Sequence, residues 1–350
     1  MISLSKPEAW SAALSRASFV AAVVAVSLCT MACHKEPETQ ASQPTPAQPV
    51  VSNAPASAAE LDPPAGAPPA PTVDSKRAFL YVKEFVAIGK RPLGSEGHKK
   101  AEDYIAGKLS GLGVEVDRDT FTADTAVGKF PVVNIIGKIP GKKDGIIVIA
   151  GHYDTNYPLK DLNFVGANDG GSNTGLMVEL AQVLKQSMKS GDAKLDGYSV
   201  WLVFTDAEEA MKAWSADDSV YGSKHLASLW QKDGTVQKVR AFILLDMIGD
   251  KDLNVERETY STPWLQDTVL RAAQRLKVES HFYGRSLDVE DDHLPFKRVG
   301  IPVVDLIDID YGLDNSFHHT TEDTLDKLSP NSLQIIGDVV LETMRALNTR

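Results

Sequence analysis

The apolar positions of the chain change period once. From Ser75 to Lys90, Phe79, Val82, Phe85 and Val86 recur at helical spacing, and Ala101 to Leu112 continues as a second amphipathic helix. Beyond them the pattern shortens into β-branched and apolar runs: Val132–Ile136, Gly145–Ile149, Tyr198–Phe204, Ala241–Leu245 and Ile301–Ile307. Several of these have no polar alternation, as expected of strands covered on both faces. Helical patterns lie between and after them at Asn173–Gln186, Ser219–Gln231, Pro263–Leu276 and Ser329–Leu347. The alternation predicts a single α/β domain with a mostly parallel central sheet flanked by helices.

Composition sets where that domain begins. The chain has 350 residues, 24% charged and 43% hydrophobic, which excludes collagen-like, coiled-coil and wholly disordered readings. Ten of the 19 prolines fall between Pro37 and Pro71, in a stretch too poor in large apolar residues to build a core. We therefore divide the chain into an export segment at 1–33, a disordered Pro/Ala-rich linker at 34–74 and a folded domain at 75–350. From Ser75 on there are 33 basic and 41 acidic residues, with no basic run able to neutralise a phosphate backbone. Nucleic acid is thereby excluded as a partner.

The two cysteines, Cys29 and Cys33, both lie in the first segment, so the domain has no disulfide. Residues 1–18 carry Lys6 and Arg16, and the apolar stretch Phe19–Val26 is shorter than the ~20 residues of a spanning helix. This is a secretory signal pattern. Thr30-Met31-Ala32-Cys33 resembles the lipobox of bacterial lipoproteins, with Thr30 where that motif usually has Leu. Lipidation at Cys33 is expected, with plain secretion after Ala32 as the alternative. Either way the protein is exported to the cell envelope, and a monomer is favoured.

In open sheets ligands bind beyond the carboxyl ends of the strands. His152 and Asp154 follow one predicted strand, Asp206 to Glu209 a second, and Asp246 a third. With Asn168-Asp169 and His318-His319 they supply imidazoles and carboxylates from five loops, a donor set suited to Zn²⁺. Acidic residues gathered there without a cation would repel one another. Adjacent Glu208 and Glu209 point in different directions, so one can bind metal while the other moves protons.

Residues 75–350 resemble the zinc aminopeptidase clan, and within it the glutaminyl-peptide cyclotransferase branch. The most specific block runs from Asp206-Ala-Glu-Glu209 through Trp214 to Tyr221-Gly-Ser223 and Ala227. Phe164–Asp169, Leu244–Gly249 and Asp291–Phe296 are similar to further cyclase blocks, in the same order. The resemblance implies a zinc aminopeptidase-like sandwich with α/β-hydrolase-like topology. It also implies that Asp169, Glu209 and His319 bind zinc, that Glu208 shuttles protons, and that Asp246 and Asp291 form a hydrogen-bonded network with it. Trp214 would wall the substrate pocket. Three positions depart from the animal cyclases: His318 replaces a pocket tryptophan, Asp305 replaces a histidine, and Gly151 and Thr174 replace a cysteine pair.

The ligands leave the reaction open, because His152, Asp169, Glu209, Asp246 and His319 would equally serve a two-zinc aminopeptidase. Cyclisation of N-terminal glutamine supplies its own nucleophile, and intramolecular attack can reach effective molarities of about 10⁵–10⁸ M. One zinc then suffices. The long segment between Glu209 and Gly222 favours the cyclase acting on peptide N-termini, with the aminopeptidase second and a non-catalytic envelope scaffold third.

Overall fold

The computed structural model describes residues 58–188 and 192–349. The export signal, Cys33 and the linker up to residue 57 lie outside the described residues. Helices α1 (Ser75–Val86) and α2 (Glu96–Gly111) come first, followed by strands β1 (Glu115–Thr125), β2 (Gly128–Ile139) and β3 (Gly141–His152). Then come α3 (Gly171–Ser187), β4 (Leu195–Thr205), α4 (Tyr221–Asp233), β5 (Val239–Asp246), β6 (Val255–Glu258), α5 (Pro263–Leu276) and β7 (Phe282–Leu287). The chain ends with α6 (His293–Arg298), β8 (Val303–Ile307) and α7 (Pro330–Leu347). One six-stranded sheet has the order β1-β2-β4-β3-β5-β8, and β6 and β7 pair separately.

The four strands from β4 to β8 are mutually parallel. Successive residues of the inner strands enter different cores. Ile147, Ile149, Ile243 and Leu245 join the core under α1, α2, α3, α5 and α7, whereas Ile146, Val148, Phe242 and Leu244 join the one under α4 and α6. Burial on both faces explains their unbroken apolar runs.

The antiparallel edge was not visible in the apolar pattern. β2 pairs antiparallel with β4 and with β1, the latter in the register Thr125↔Gly128. β1 is mostly exposed or half-buried and carries Asp117, Arg118, Asp119 and Asp124, a charged edge that discourages pairing with other chains.

The packing extends N-terminal of the predicted start at Ser75. Residues 58–74 form a strap rather than a disordered linker. Leu61 is 1% exposed within the main core, Asp62 pairs with Arg271 and Arg275 of α5, and Val73 N donates to Asp338 Oδ1 at 2.8 Å. Asp74 then caps α1 by accepting from Lys76 N and Arg77 N. Composition concealed this because a few scattered residues, Leu61, Asp62, Val73 and Asp74, do the anchoring. Leu61→Ala should lower unfolding free energy by about 2–3 kcal/mol in chemical denaturation, whereas a free linker would give no change.

Candidate active site

Each strand of the parallel set delivers its polar residues at the carboxyl end. His152 closes β3, Asp246 closes β5, and Asp206 follows β4 directly. Three non-glycine residues near these ends adopt left-handed backbone: Ala207 (φ 52°), Met247 (φ 50°) and His319 (φ 51°). Such conformations cost about 1–3 kcal/mol each and persist only where the surroundings enforce them. Around Ala207 the enforcement is visible. Asp206 accepts from Val133 N at 2.7 Å and Ala207 N at 2.8 Å, and His98 Nε2 lies 2.6 Å from its Oδ1. Asp154 accepts from Glu208 N at 3.2 Å and Glu209 N at 3.3 Å.

This turn sends the two glutamates to different places. Glu209 Oε1 lies 3.2 Å from His319 Nε2, and its Oε2 accepts from Asn156 Nδ2 at 2.8 Å. The same His319 Nε2 lies 3.2 Å from Asp169 Oδ2. The other oxygen of Asp169 is 3.0 Å from His152 Nε2, which is also 3.3 Å from Asp246 Oδ1. Glu208 Oε2 is 3.9 Å from His152 Nδ1. The structure thus brings together Asp169, Glu209, His319, His152, Asp246 and Glu208. Asp169 is the shared member, and its backbone N donates to Asp323 Oδ2 at 3.2 Å.

The remaining sequence-derived candidates lie around this group. Asp291 is buried, and it lines a cleft together with Trp214, Ser219, Lys224 and Arg298. Trp214 is 42% exposed, so it is not a core residue. His318 stacks obliquely on His319 with ring centroids 4.1 Å apart and is anchored by Asn315, whose Nδ2 lies 3.1 Å from its Nδ1. A side chain at Gly151 would meet Asn173 Nδ2 at 2.4 Å and Leu245 O at 2.8 Å, which leaves no room there for a cysteine.

The loop carrying Trp214 is closed at its root. Val220 N, Tyr221 N and Gly222 N donate to the carbonyls of Glu208, Ala207 and Asp206. The approach is so close that a Cβ on Gly222 would lie 2.2 Å from Asp206 O, so glycine is required. Asp218 braces the loop from inside, accepting from Met211 N, Lys212 N, Ala213 N and the Tyr221 hydroxyl.

Electrostatically the site is a buried excess of carboxylates. Burial pushes Glu208 well above its ordinary range; His152 opposes this, and Asp291, Glu209 and Asp292 reinforce it. Asp291 rises for the same reason, with Asp246 and Asp292 adding to it. Asp169 behaves oppositely: burial raises it, but hydrogen bonds from His152 and His319 outweigh that and hold it well below the usual range. Burial lowers His319, yet Glu209 and Asp169 lift it to about 11.

A cation fits this environment. Asp169 Oδ2, Glu209 Oε1 and Asp246 Oδ1 are buried oxygens that share just two ring nitrogens, His319 Nε2 at 3.2 Å from the first two and His152 Nε2 at 3.3 Å from the third. Ligand atoms of Asp169, His318 and His319 lie within 4.8 Å of one another, as do those of His152, Asp169 and Asp246. Oxygen and imidazole donors of this kind suit Zn²⁺.

Comparison with known proteins decides the family. The model of peptidase family M28 matches residues 134–344. A glutaminyl-peptide cyclotransferase-like protein from Bos taurus is 30% identical over 271 residues, covering 71% of this chain and 70% of that protein. The chain belongs to the glutaminyl-peptide cyclotransferases of peptidase family M28. A solved glutaminyl cyclase from an Acidobacteriales bacterium is 48% identical to this cyclotransferase-family chain, covering 83% of it and 99% of that structure with a TM-score of 0.77. A Zn-dependent exopeptidase from Parabacteroides distasonis is 25% identical, covering 80% of this chain and 100% of its own at a TM-score of 0.68.

Sequence reasoning placed Asp154 among the strand-end donors without a role of its own, and assigned none to Asn156, Asp292 or Asp323. Asp154 stands two residues beyond His152 at a strand end, a spacing that places both on one side, and this was the available signal. The others are single polar residues in loops. Asp154→Ala would strip an acceptor from two buried N–H groups, each loss costing about 1–3 kcal/mol. The variant should unfold about 2–6 kcal/mol more easily in chemical denaturation.

Proposed function

We propose that this protein is a zinc-dependent glutaminyl-peptide cyclotransferase, converting the N-terminal glutamine of peptides to pyroglutamate with release of ammonia. The observation that carries this reading is the braced loop between Glu209 and Gly222, closed at its root against Asp206–Glu208, whose Trp214 lines a cleft together with Asp291. The similarity to glutaminyl cyclases supports it.

In this reading Asp169, Glu209 and His319 hold one zinc ion. Zinc, when bound, polarises the γ-amide carbonyl and offsets the charge that develops on its oxygen. The chain's own residues handle position and protons. Trp214 and His318 flank the glutamine side chain and hold its α-amine near the γ-carbon. Glu208 accepts a proton as the α-nitrogen bonds to that carbon, then delivers one to the departing amide nitrogen, which leaves as ammonia. Burial and the neighbouring acids raise the proton affinity of Glu208, which suits it to carry that proton. Asp291 acts on it through charge, and Asp246 acts in turn on Asp291.

One observation favours a second reading. His152, Asp169 and Asp246 form a further ligand trio sharing Asp169, as a two-zinc aminopeptidase would require. Residues 1–33 add a proposal about place: an exported enzyme of the cell envelope, held by a lipid at Cys33.

Incubating the purified protein with Gln-peptides and Leu-peptides separates the reactions. Ammonia release from the former with no free amino acid from the latter is expected; free leucine would establish the peptidase. Metal analysis should find one tightly held zinc, and two equivalents at full activity would favour the peptidase. Glu208→Gln should abolish turnover while keeping zinc near the wild-type level, whereas Glu209→Gln should lose the metal. Trp214→Ala should raise KM without lowering the melting temperature.

A further inference from the structure

The loop that delivers Asp169 hangs on two buried side chains that the mechanism above does not use. Arg91, in the segment between α1 and α2, is fully buried. Its Nη1 donates to Val165 O at 2.7 Å and Gly89 O at 3.1 Å, its Nη2 to Gly166 O at 3.1 Å, and its Nε to Tyr153 O at 2.9 Å. Asp323, four residues beyond His319, is equally buried and takes the other end of the loop. Its Oδ1 accepts from Asn168 N at 2.8 Å and from the Tyr311 hydroxyl at 3.0 Å, and its Oδ2 accepts from Asp169 N at 3.2 Å.

Each side chain matches what it holds. A guanidinium offers only donors, in a planar fork that can serve several carbonyls at once. Arg91 therefore fixes the carbonyls of residues 165 and 166, and Asp323 the N–H groups of residues 168 and 169. Burial and the charge of Asp169 push Asp323 up to about 7, but the grip needs only its two oxygens as acceptors, which both forms of the acid provide. The turn between the two grips is tight: Gly166 is left-handed (φ 52°), and a Cβ on it would lie 2.4 Å from Asp169 O. Asp323 belongs at the same time to the loop of His319, whose Nε2 is 3.2 Å from Asp169 Oδ2. One carboxyl group thus fastens the backbone of one metal-facing residue to the loop of another.

We propose that Arg91 and Asp323 are positioning residues that preform the Asp169 limb of the metal site against His319, and so set how tightly the protein holds zinc. A site ordered before the ion arrives spends none of the binding energy on ordering its own loops. The proposal rests on the reading of Asp169 and His319 as zinc ligands. Asp169 belongs to the one-zinc and the two-zinc ligand sets alike, so the clamp serves either.

Chelator competition on the purified full chain reads zinc affinity without turnover. In Asp323→Asn one of the two backbone N–H groups faces an amide NH₂ in place of an oxygen, and the zinc dissociation constant should rise about 10–100-fold. Arg91→Lys keeps the charge but replaces the fork by a single point of donors, and should weaken zinc in the same direction. Unchanged zinc affinity in Asp323→Asn overturns the proposal whatever happens to the melting temperature, since a residue that only braced the fold would move the latter and not the former. If Asp323→Asn does not fold, Arg91→Lys carries the test by the same criterion. A wild type that holds no tight zinc would refute the zinc-site reading and the proposal with it, whereas tight zinc that neither substitution weakens would refute the clamp alone. Because affinity is read without turnover, leucine release from Leu-peptides would refute the cyclase reaction and not the clamp.

Discussion

Negative charge held out of water is the constraint on which this molecule is built. The carboxyl edge of the parallel sheet gathers Asp169, Glu208, Glu209, Asp246 and Asp291, all buried, in a medium where like charges repel strongly. Such a set is tolerable only if protons, imidazolium rings or a bound cation divide the load. The structure uses different solutions for different groups. His152 and His319 face the carboxylates of Asp169, Glu209 and Asp246. Glu208 and Asp291 are pushed toward holding protons.

The division of labour between adjacent glutamates follows from backbone geometry. Ala207 is left-handed, and Asp206 and Asp154 hold the turn by accepting its N–H groups. Glu209 consequently reaches His319, and Glu208 reaches the His152 side. One residue of register would seat one glutamate in the other's place and leave an alanine, Ala207 or Ala210, in the position it vacated. The local strain is therefore part of what separates the two chemical roles.

Much of this was legible in the sequence where burial imposes a pattern. The inner strands read clearly because both faces are covered, and the strand-end rule led to His152, Glu208, Glu209 and Asp246. What stayed hidden has no period. β1 is a charged edge strand stabilised by pairing with β2 rather than by its own apolar face. The short pair of β6 and β7 is held by tertiary packing. The strap at residues 58–74 depends on a few scattered contacts, chiefly of Leu61, Asp62 and Val73, in a Pro/Ala-rich stretch. Asn156 and Asp323 matter through hydrogen bonds to atoms distant in sequence, which no local reading exposes.

The loop that bears Trp214 has a consequence beyond this protein. Its two ends are stitched together between Asp206–Glu208 and Val220–Gly222, and its interior hangs on the carboxylate of Asp218 and on Lys224, whose Nζ donates to Ala216 O and Ser219 O. A segment fastened this way is a cassette: the exposed side chains from Lys212 to Asp217 can be exchanged without tugging on the acids at its base. Evolution can thus reshape what the entrance admits while the chemistry underneath stays in register.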